Sequence, residues 1–119
     1  MDILVTNNPL VHQQYRGDFR VTFLDTDLLE IFINVRDLIH KGHKLLTHPL
    51  TGSIKPNESP YKSILVTGTA AETDTQSVSI MEECIETVKK FPPKSINKKH
   101  LLDMQILDLS FIKTSQSNR

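Results

Sequence analysis

Two short runs of apolar, largely β-branched residues, 3–6 and 63–67, do most to limit what this chain can fold into. Neither run alternates apolar with polar residues, and each is much shorter than an ordinary helix. Such runs are typical of β-strands that are buried on both faces. The sequence therefore predicts a sheet that is covered on both sides by other elements.

Three further segments are predicted as strands. Residues 19–24 combine aromatic and β-branched side chains, residues 44–47 show a weaker version of the same preference, and residues 105–112 alternate in a way that fits a half-buried strand. In that last strand Leu107, Leu109 and Phe111 would face the core. Together with the first two runs, these segments give a sheet of about five strands.

Helices are predicted between the strands from their capping residues. Asn8 followed by Pro9 is a good start for a short helix, and Asp27 with Glu30 opens a longer one that Gly42 would end. A third helix is predicted from a capping box at Thr73 to the proline pair at 92–93, and a short fourth one over residues 96–102.

This alternation predicts an α/β fold, a three-layer Rossmann-like sandwich with a mainly parallel sheet. The fourth strand, 63–67, follows the third without an intervening helix, so an antiparallel placement stays open for it. Residues 1–113 are predicted to form a single α/β domain and residues 114–119 a frayed polar tail.

Composition narrows the class of function. The chain has 119 residues and equal numbers of Lys+Arg and Asp+Glu, 14 each, so nucleic acid is not expected as a partner. Cys84 is the single cysteine, which excludes an intrachain disulfide and fits a reducing compartment. No apolar run approaches the roughly 20 residues that cross a bilayer, and the first residues lack a basic region. We therefore expect a cytoplasmic protein with no membrane partner.

The segment 48–61 is the best candidate for a binding site. It is a long, polar connection that contains three prolines, and loops of that length inside a compact domain tend to be functional or disordered. In a parallel sheet, ligands gather beyond the carboxyl ends of the strands, where this loop, residues 7–8 and residues 67–69 would meet. Such an edge suits a small anion. The predicted ligand-binding residues are Asn7, Asn8, His48, Gly52, Ser53, Lys55, Asn57 and Tyr61.

Each of these residues also has a structural interpretation. Asn8 can serve as a helix cap alone, Asn7 can tie a turn, and Tyr61 can anchor the loop on the core. His48 precedes Pro49 at a predicted strand end, where it could act as a general acid/base or only form a structural hydrogen bond.

No cofactor or metal is predicted, and the catalytic residues stay unknown. The spacing of His40, His43 and His48 matches no known set of metal ligands, and neither glycine-rich phosphate-binding pattern occurs. Cys84 falls among apolar residues of a predicted helix, where an inert thiol is expected.

The residues at 5–9 (Val-Thr-Asn-Asn-Pro), with the His-Pro start of the loop at 48–57 and the segment 60–63, resemble the GrdX family. These small proteins are associated with the clostridial glycine, sarcosine and betaine reductase systems, and the similarity runs from the first strand to about Ser110. The resemblance implies an accessory protein of amino-acid reduction in an anaerobe, with no established reaction.

Two classes of function therefore stay open. The first is an accessory or regulatory protein that binds a small anionic metabolite or a reductase component, and the second is a small enzyme in which His48 acts as acid/base on a carboxylate- or phosphate-bearing substrate. A purely structural role as a component of a homodimer is a third possibility.

Overall fold

A computed structural model of the chain describes residues 1–50, 56–92 and 94–117. Within those ranges it contains three strands, four α-helices and one short 3₁₀ turn. In chain order they are β1 (Ile3–Thr6), α1 (Pro9–Tyr15), β2 (Arg20–Phe23), α2 (Leu28–His40), β3 (Ser63–Val66), α3 (Thr75–Lys90), the 3₁₀ turn (Lys98–His100) and α4 (Leu101–Ser117).

The sheet is mixed, and β1 lies in its centre. The strand order is β2-β1-β3, with β2 parallel and β3 antiparallel to β1. Thr6 at the end of β1 is therefore opposite both Phe23 at the end of β2 and Ser63 at the start of β3. This edge of the sheet, which we call the Thr6 edge, carries the polar residues described below.

The predicted mainly parallel, five-strand Rossmann-like sandwich is wrong. Residues 44–47 contribute only an isolated antiparallel bridge from Leu45 to Val66, and residues 105–112 lie within α4. A parallel β3 would need a crossover connection, usually a helix, and β3 instead runs antiparallel to β1. Thr67 consequently lies at the opposite edge from Asn7, next to Lys44, and not with Asn7 as the parallel arrangement predicted.

Physical preferences of the side chains explain the helix at the end of the chain. Residues 101–109 are rich in leucine, with one methionine and one glutamine, which all favour helix over strand. The period-two alternation of residues 105–112 also satisfies a helical spacing, since Gln105, Asp108 and Ile112 recur at intervals of three and four. The helix propensity of the whole segment therefore explains why it forms a helix and not a strand.

The observed ends of the helices largely match those predicted from their capping residues. The side chain of Asn8 accepts from Leu10 N–H, and that of Asp27 accepts from Glu30 N–H, so both predicted caps are confirmed. Gly42 has φ of +107°, a conformation that a residue with a side chain rarely adopts, and it ends α2 as predicted. The cap of α3 is Asp74 and not Thr73.

Helices cover both faces of the sheet, because alternate strand residues point in opposite directions. Leu4 and Leu65 pack on α1 and α4 in a small core that includes Val11 and Ile112. The larger core lies on the other face, between the sheet and the helices α2 and α3. Its buried members are Ile3, Val5, Leu28, Ile31, Phe32, Val35, Ile39, Ile64, Val66, Met81, Cys84, Ile85 and Val88.

Candidate functional site

Asn7 joins three segments of the chain at the Thr6 edge. Its side-chain N–H groups donate to the carbonyls of Thr26 (2.9 Å) and Pro60 (2.8 Å), and its Oδ1 accepts from the backbone N–H of Lys62 (2.9 Å). Asn7 is buried. The side chain therefore fixes the end of the loop against the end of β2, and its direct contact with a ligand stays a prediction.

Asn8 is fully buried and connects α1 to α4. Besides capping α1 through Oδ1, its Nδ2 donates to the carbonyl of Gln105 (2.9 Å) and to Asp108 Oδ2 (3.0 Å). Both N–H groups are thus used inside the molecule. Its predicted ligand contact also stays a prediction.

The carboxylate of Asp108 is the centre of a polar network that sequence reasoning missed. Only 5% of Asp108 is exposed, and its Oδ2 also accepts from the Ser63 hydroxyl at 2.7 Å. The Ser63 and Thr6 hydroxyls lie 2.7 Å apart, so the network crosses from α4 to β3 and β1. The signal that could have found it is the helical spacing of Asp108 and Ile112, since both turn toward the sheet.

A concavity of about 320 Å³ opens beside this network, between α4, the start of β3 and the segment before Pro49. We call it the Lys62 pocket. Hydroxyls and charged groups line it together with two apolar side chains. The lining residues are Thr47, His48, Lys62, Ser63, Asp108, Phe111, Ile112, Thr114 and Ser115.

Lys62 is the cation of this pocket. Its backbone is hydrogen-bonded to Asn7, and its side chain takes part in no ion pair within the described ranges. Burial lowers the pKa of Lys62 from its ordinary value of 10.5, and the negative charge of Asp108 partly opposes this fall. Lys62 is half-buried, and no ion pair among the described residues compensates its charge.

His48 lines the same pocket and is exposed. Its Nδ1 accepts a hydrogen bond from the backbone N–H of Leu50 at 3.1 Å. An Nδ1 that accepts places the proton of the neutral ring on Nε2, which makes Nε2 a donor. This arrangement suits contact with an anion better than proton abstraction.

The remaining predicted site residues all belong to the loop 48–61. The Tyr61 hydroxyl accepts from Gln105 Nε2 (2.9 Å), which anchors the loop on α4. Asn57 Nδ2 approaches the carbonyl of Pro92 at 3.4 Å, beyond the end of α3 and away from the Lys62 pocket. Gly52, Ser53 and Lys55 lie outside the described residues.

Other chemistry receives little support from the described part of the chain. Burial raises the pKa of the Cys84 thiol to about 11, so the thiolate that nucleophilic chemistry needs is disfavoured. Across residues 1–50, 56–92 and 94–117, no group of three or more His, Cys, Asp or Glu side chains is placed to hold a metal ion.

A family model decides the identity of the chain. The model described as GrdX-like protein matches residues 3–116, which is nearly the whole sequence. The chain belongs to the GrdX-like protein family. Neither the curated proteins nor the solved structures include a match to this GrdX-like protein.

None of the helices in the described ranges is both long enough and apolar enough to span a membrane.

Proposed function

We propose that this GrdX-like protein is an accessory or regulatory protein of the glycine, sarcosine and betaine reductase system that binds a small anionic metabolite in the Lys62 pocket. The family match supports the biological context. The pocket is close to the lower end of the size range of small-molecule sites and combines a few polar groups with an apolar wall.

One observation carries the proposal: Lys62 is a half-buried cation that lines the pocket and has no ion pair among the described residues. Removing an ammonium from water is costly unless an anion or hydrogen-bond acceptors replace the lost hydration. A bound carboxylate would supply that partner and would favour the charged form of Lys62. The Nε2–H of His48 is a second donor that lines the same pocket.

The test compares two lysine variants by isothermal titration calorimetry with a panel of small carboxylates and inorganic phosphate. Lys62→Met keeps the approximate length of the side chain and removes the charge. We expect it to weaken anion binding by about tenfold or more, the effect of losing a hydrogen bond to a charged group. Lys90→Met, at the exposed end of α3, is the matched control and should bind as the parent does. Equal affinities in both variants would remove the pocket from the proposal.

A small enzyme that uses His48 as acid/base is the second candidate. The position of His48 at the pocket supports it, whereas the hydrogen bond that Nδ1 accepts leaves the protonated Nε2 for the ligand. A neutral His48 could then donate a hydrogen bond through that nitrogen but could not accept a proton there. Proton NMR of the bound carboxylates over time checks this candidate, since turnover would change the ligand spectrum in the parent and not in His48→Gln.

Contact with a reductase component or with a second copy of the chain stays a prediction. The described surface includes large apolar side chains that α4 leaves exposed, namely Leu102, Ile106 and Leu107. Such side chains support a protein contact only when they form a continuous patch. Sedimentation velocity of the parent and of Ile106→Gln would show whether this face joins two copies.

A further inference from the structure

Two opposite charges line the Lys62 pocket, and neither has its full set of partners. We infer that the metabolite of the proposed function is a zwitterion of the α-amino acid class, whose carboxylate meets Lys62 and whose ammonium group meets Asp108. This inference rests on the proposed function, because it names the ligand of the same pocket.

The hydrogen bonds of the Asp108 carboxylate support a ligand that carries an ammonium group. Its Oδ2 accepts two hydrogen bonds, from Asn8 and from Ser63, whereas its Oδ1 accepts none from the described residues. Only 5% of Asp108 is exposed, and the residue lines the pocket. An N–H group of a ligand in the pocket would give this second carboxylate oxygen a donor in place of water.

The relation between the charges of Lys62 and Asp108 also supports a zwitterionic ligand. Asp108 and Lys62 lie close enough to interact electrostatically, yet no ion pair joins them within the described ranges. The two charges therefore do not neutralise each other by direct contact. A molecule that carries both charges can lie between them and give each a partner.

Selectivity follows from the same pair of charges. A simple carboxylate would bring a second negative charge toward Asp108, and a simple amine would bring a positive charge toward Lys62. Each of these ligands would gain one contact and suffer one repulsion, whereas a zwitterion gains both contacts. Phe111 also lines the pocket and offers an aromatic wall of the kind that accommodates ammonium groups.

The first experiment needs only the unmodified full chain. Calorimetric titrations use glycine, the smallest zwitterion of this class, together with acetate and methylamine, which each keep one of its two charges. We expect glycine to bind at least about tenfold more tightly than either acetate or methylamine, since each of these lacks one of the two contacts and a hydrogen bond to a charged group is worth about that factor or more.

The second experiment uses Asp108→Asn. The amide oxygen of the substituted side chain can still accept from Asn8 and Ser63, while its NH₂ group replaces the free Oδ1 with a donor. We expect glycine binding to weaken by about tenfold to a hundredfold and acetate binding to stay equal or improve. Asp103→Asn, which changes an exposed carboxylate on the same helix, is the control and should alter neither affinity.

The outcomes separate this inference from the proposed function. Acetate that binds as tightly as glycine to the parent would overturn the zwitterion, with water bridging the two charges instead, and would leave the anion site standing. Failure of both ligands to bind would contradict the proposed function as well. If Asp108→Asn does not fold, the ligand series on the parent decides alone.

Discussion

At the scale of single residues, the Lys62 side chain lowers the stability of the folded protein and favours the binding of an anion. A half-buried ammonium without an ion pair costs folding free energy, and the same feature gives an anion a partner. Residues that are kept at such a cost are common at binding sites. Asn7 and Asn8 differ from Lys62, because their side chains direct their N–H donors to the chain itself.

The lowered pKa of Lys62 predicts a pH dependence of stability. Between its folded pKa and 10.5, the unfolded chain keeps the Lys62 proton while the folded chain releases it, so the free energy of unfolding rises with pH across that window. Below the window the folded protein bears the full cost of the half-buried charge. We therefore expect Lys62→Met to be more stable than the parent at pH 7, with an advantage that shrinks as pH approaches 10.5.

Chemical denaturation at pH 7 and at several pH values up to 10.5 measures this difference. Lys90→Met serves again as the control, because its side chain is exposed and its variant should follow the parent curve. A parent that loses stability relative to Lys62→Met as pH rises would show that Lys62 is not penalised by burial.

At the scale of elements, α4 is where the prediction from sequence is wrong and where the candidate site gains its buried carboxylate. As a strand, residues 105–112 would place Ile106, Asp108 and Ile112 on one outward side. As a helix, the segment buries Asp108 and Ile112 and leaves Ile106 half exposed. Alternation over this short segment fits both periods, so periodicity alone could not identify the element or place Asp108 in a site.

A pair of alanine variants tests this assignment. Ile112 is 3% exposed and packs in the core between the sheet and α4, so Ile112→Ala should lower the free energy of unfolding by about 2–5 kcal/mol. Ile106 is 51% exposed, and Ile106→Ala should change it by less than about 0.5 kcal/mol. Urea titrations of both variants supply the numbers, and equal losses would favour the strand.

At the scale of the whole molecule, the local elements were more predictable from the sequence than their assembly. The buried strands β1 and β3, the caps Asn8 and Asp27 and the stop at Gly42 depend on neighbouring residues and were confirmed. The strand order and the direction of β3 depend on contacts between residues far apart in the chain, which composition and spacing do not report.

The antiparallel pairing of β3 also changes the structural explanation of why the candidate site forms at this place. In the parallel fold, the site would have formed where several strands end and helix dipoles converge. In the observed fold it forms where the end of β1 meets the start of β3, so Thr6, Ser63 and Asp108 share one edge. His48 and Lys62 approach the same edge from the two ends of the loop.

The structure contains another concavity that competes with the Lys62 pocket as the place where a ligand binds. A second one, of about 520 Å³, lies between the start of α2, the end of α3 and residues 56–60, with Leu29, Phe91 and Lys94 in its lining. Its lining contains neither His48 nor Asp108. A ligand bound there would require a different explanation.

Backbone amide NMR during titration with glycine distinguishes the two places most directly. We expect the shifts to concentrate at Thr47, Ser63 and Asp108 and to disappear in Lys62→Met. Shifts that concentrate instead at Leu29, Phe91 and Lys94, or a spectrum that glycine leaves unchanged, would contradict the assignment of the Lys62 pocket.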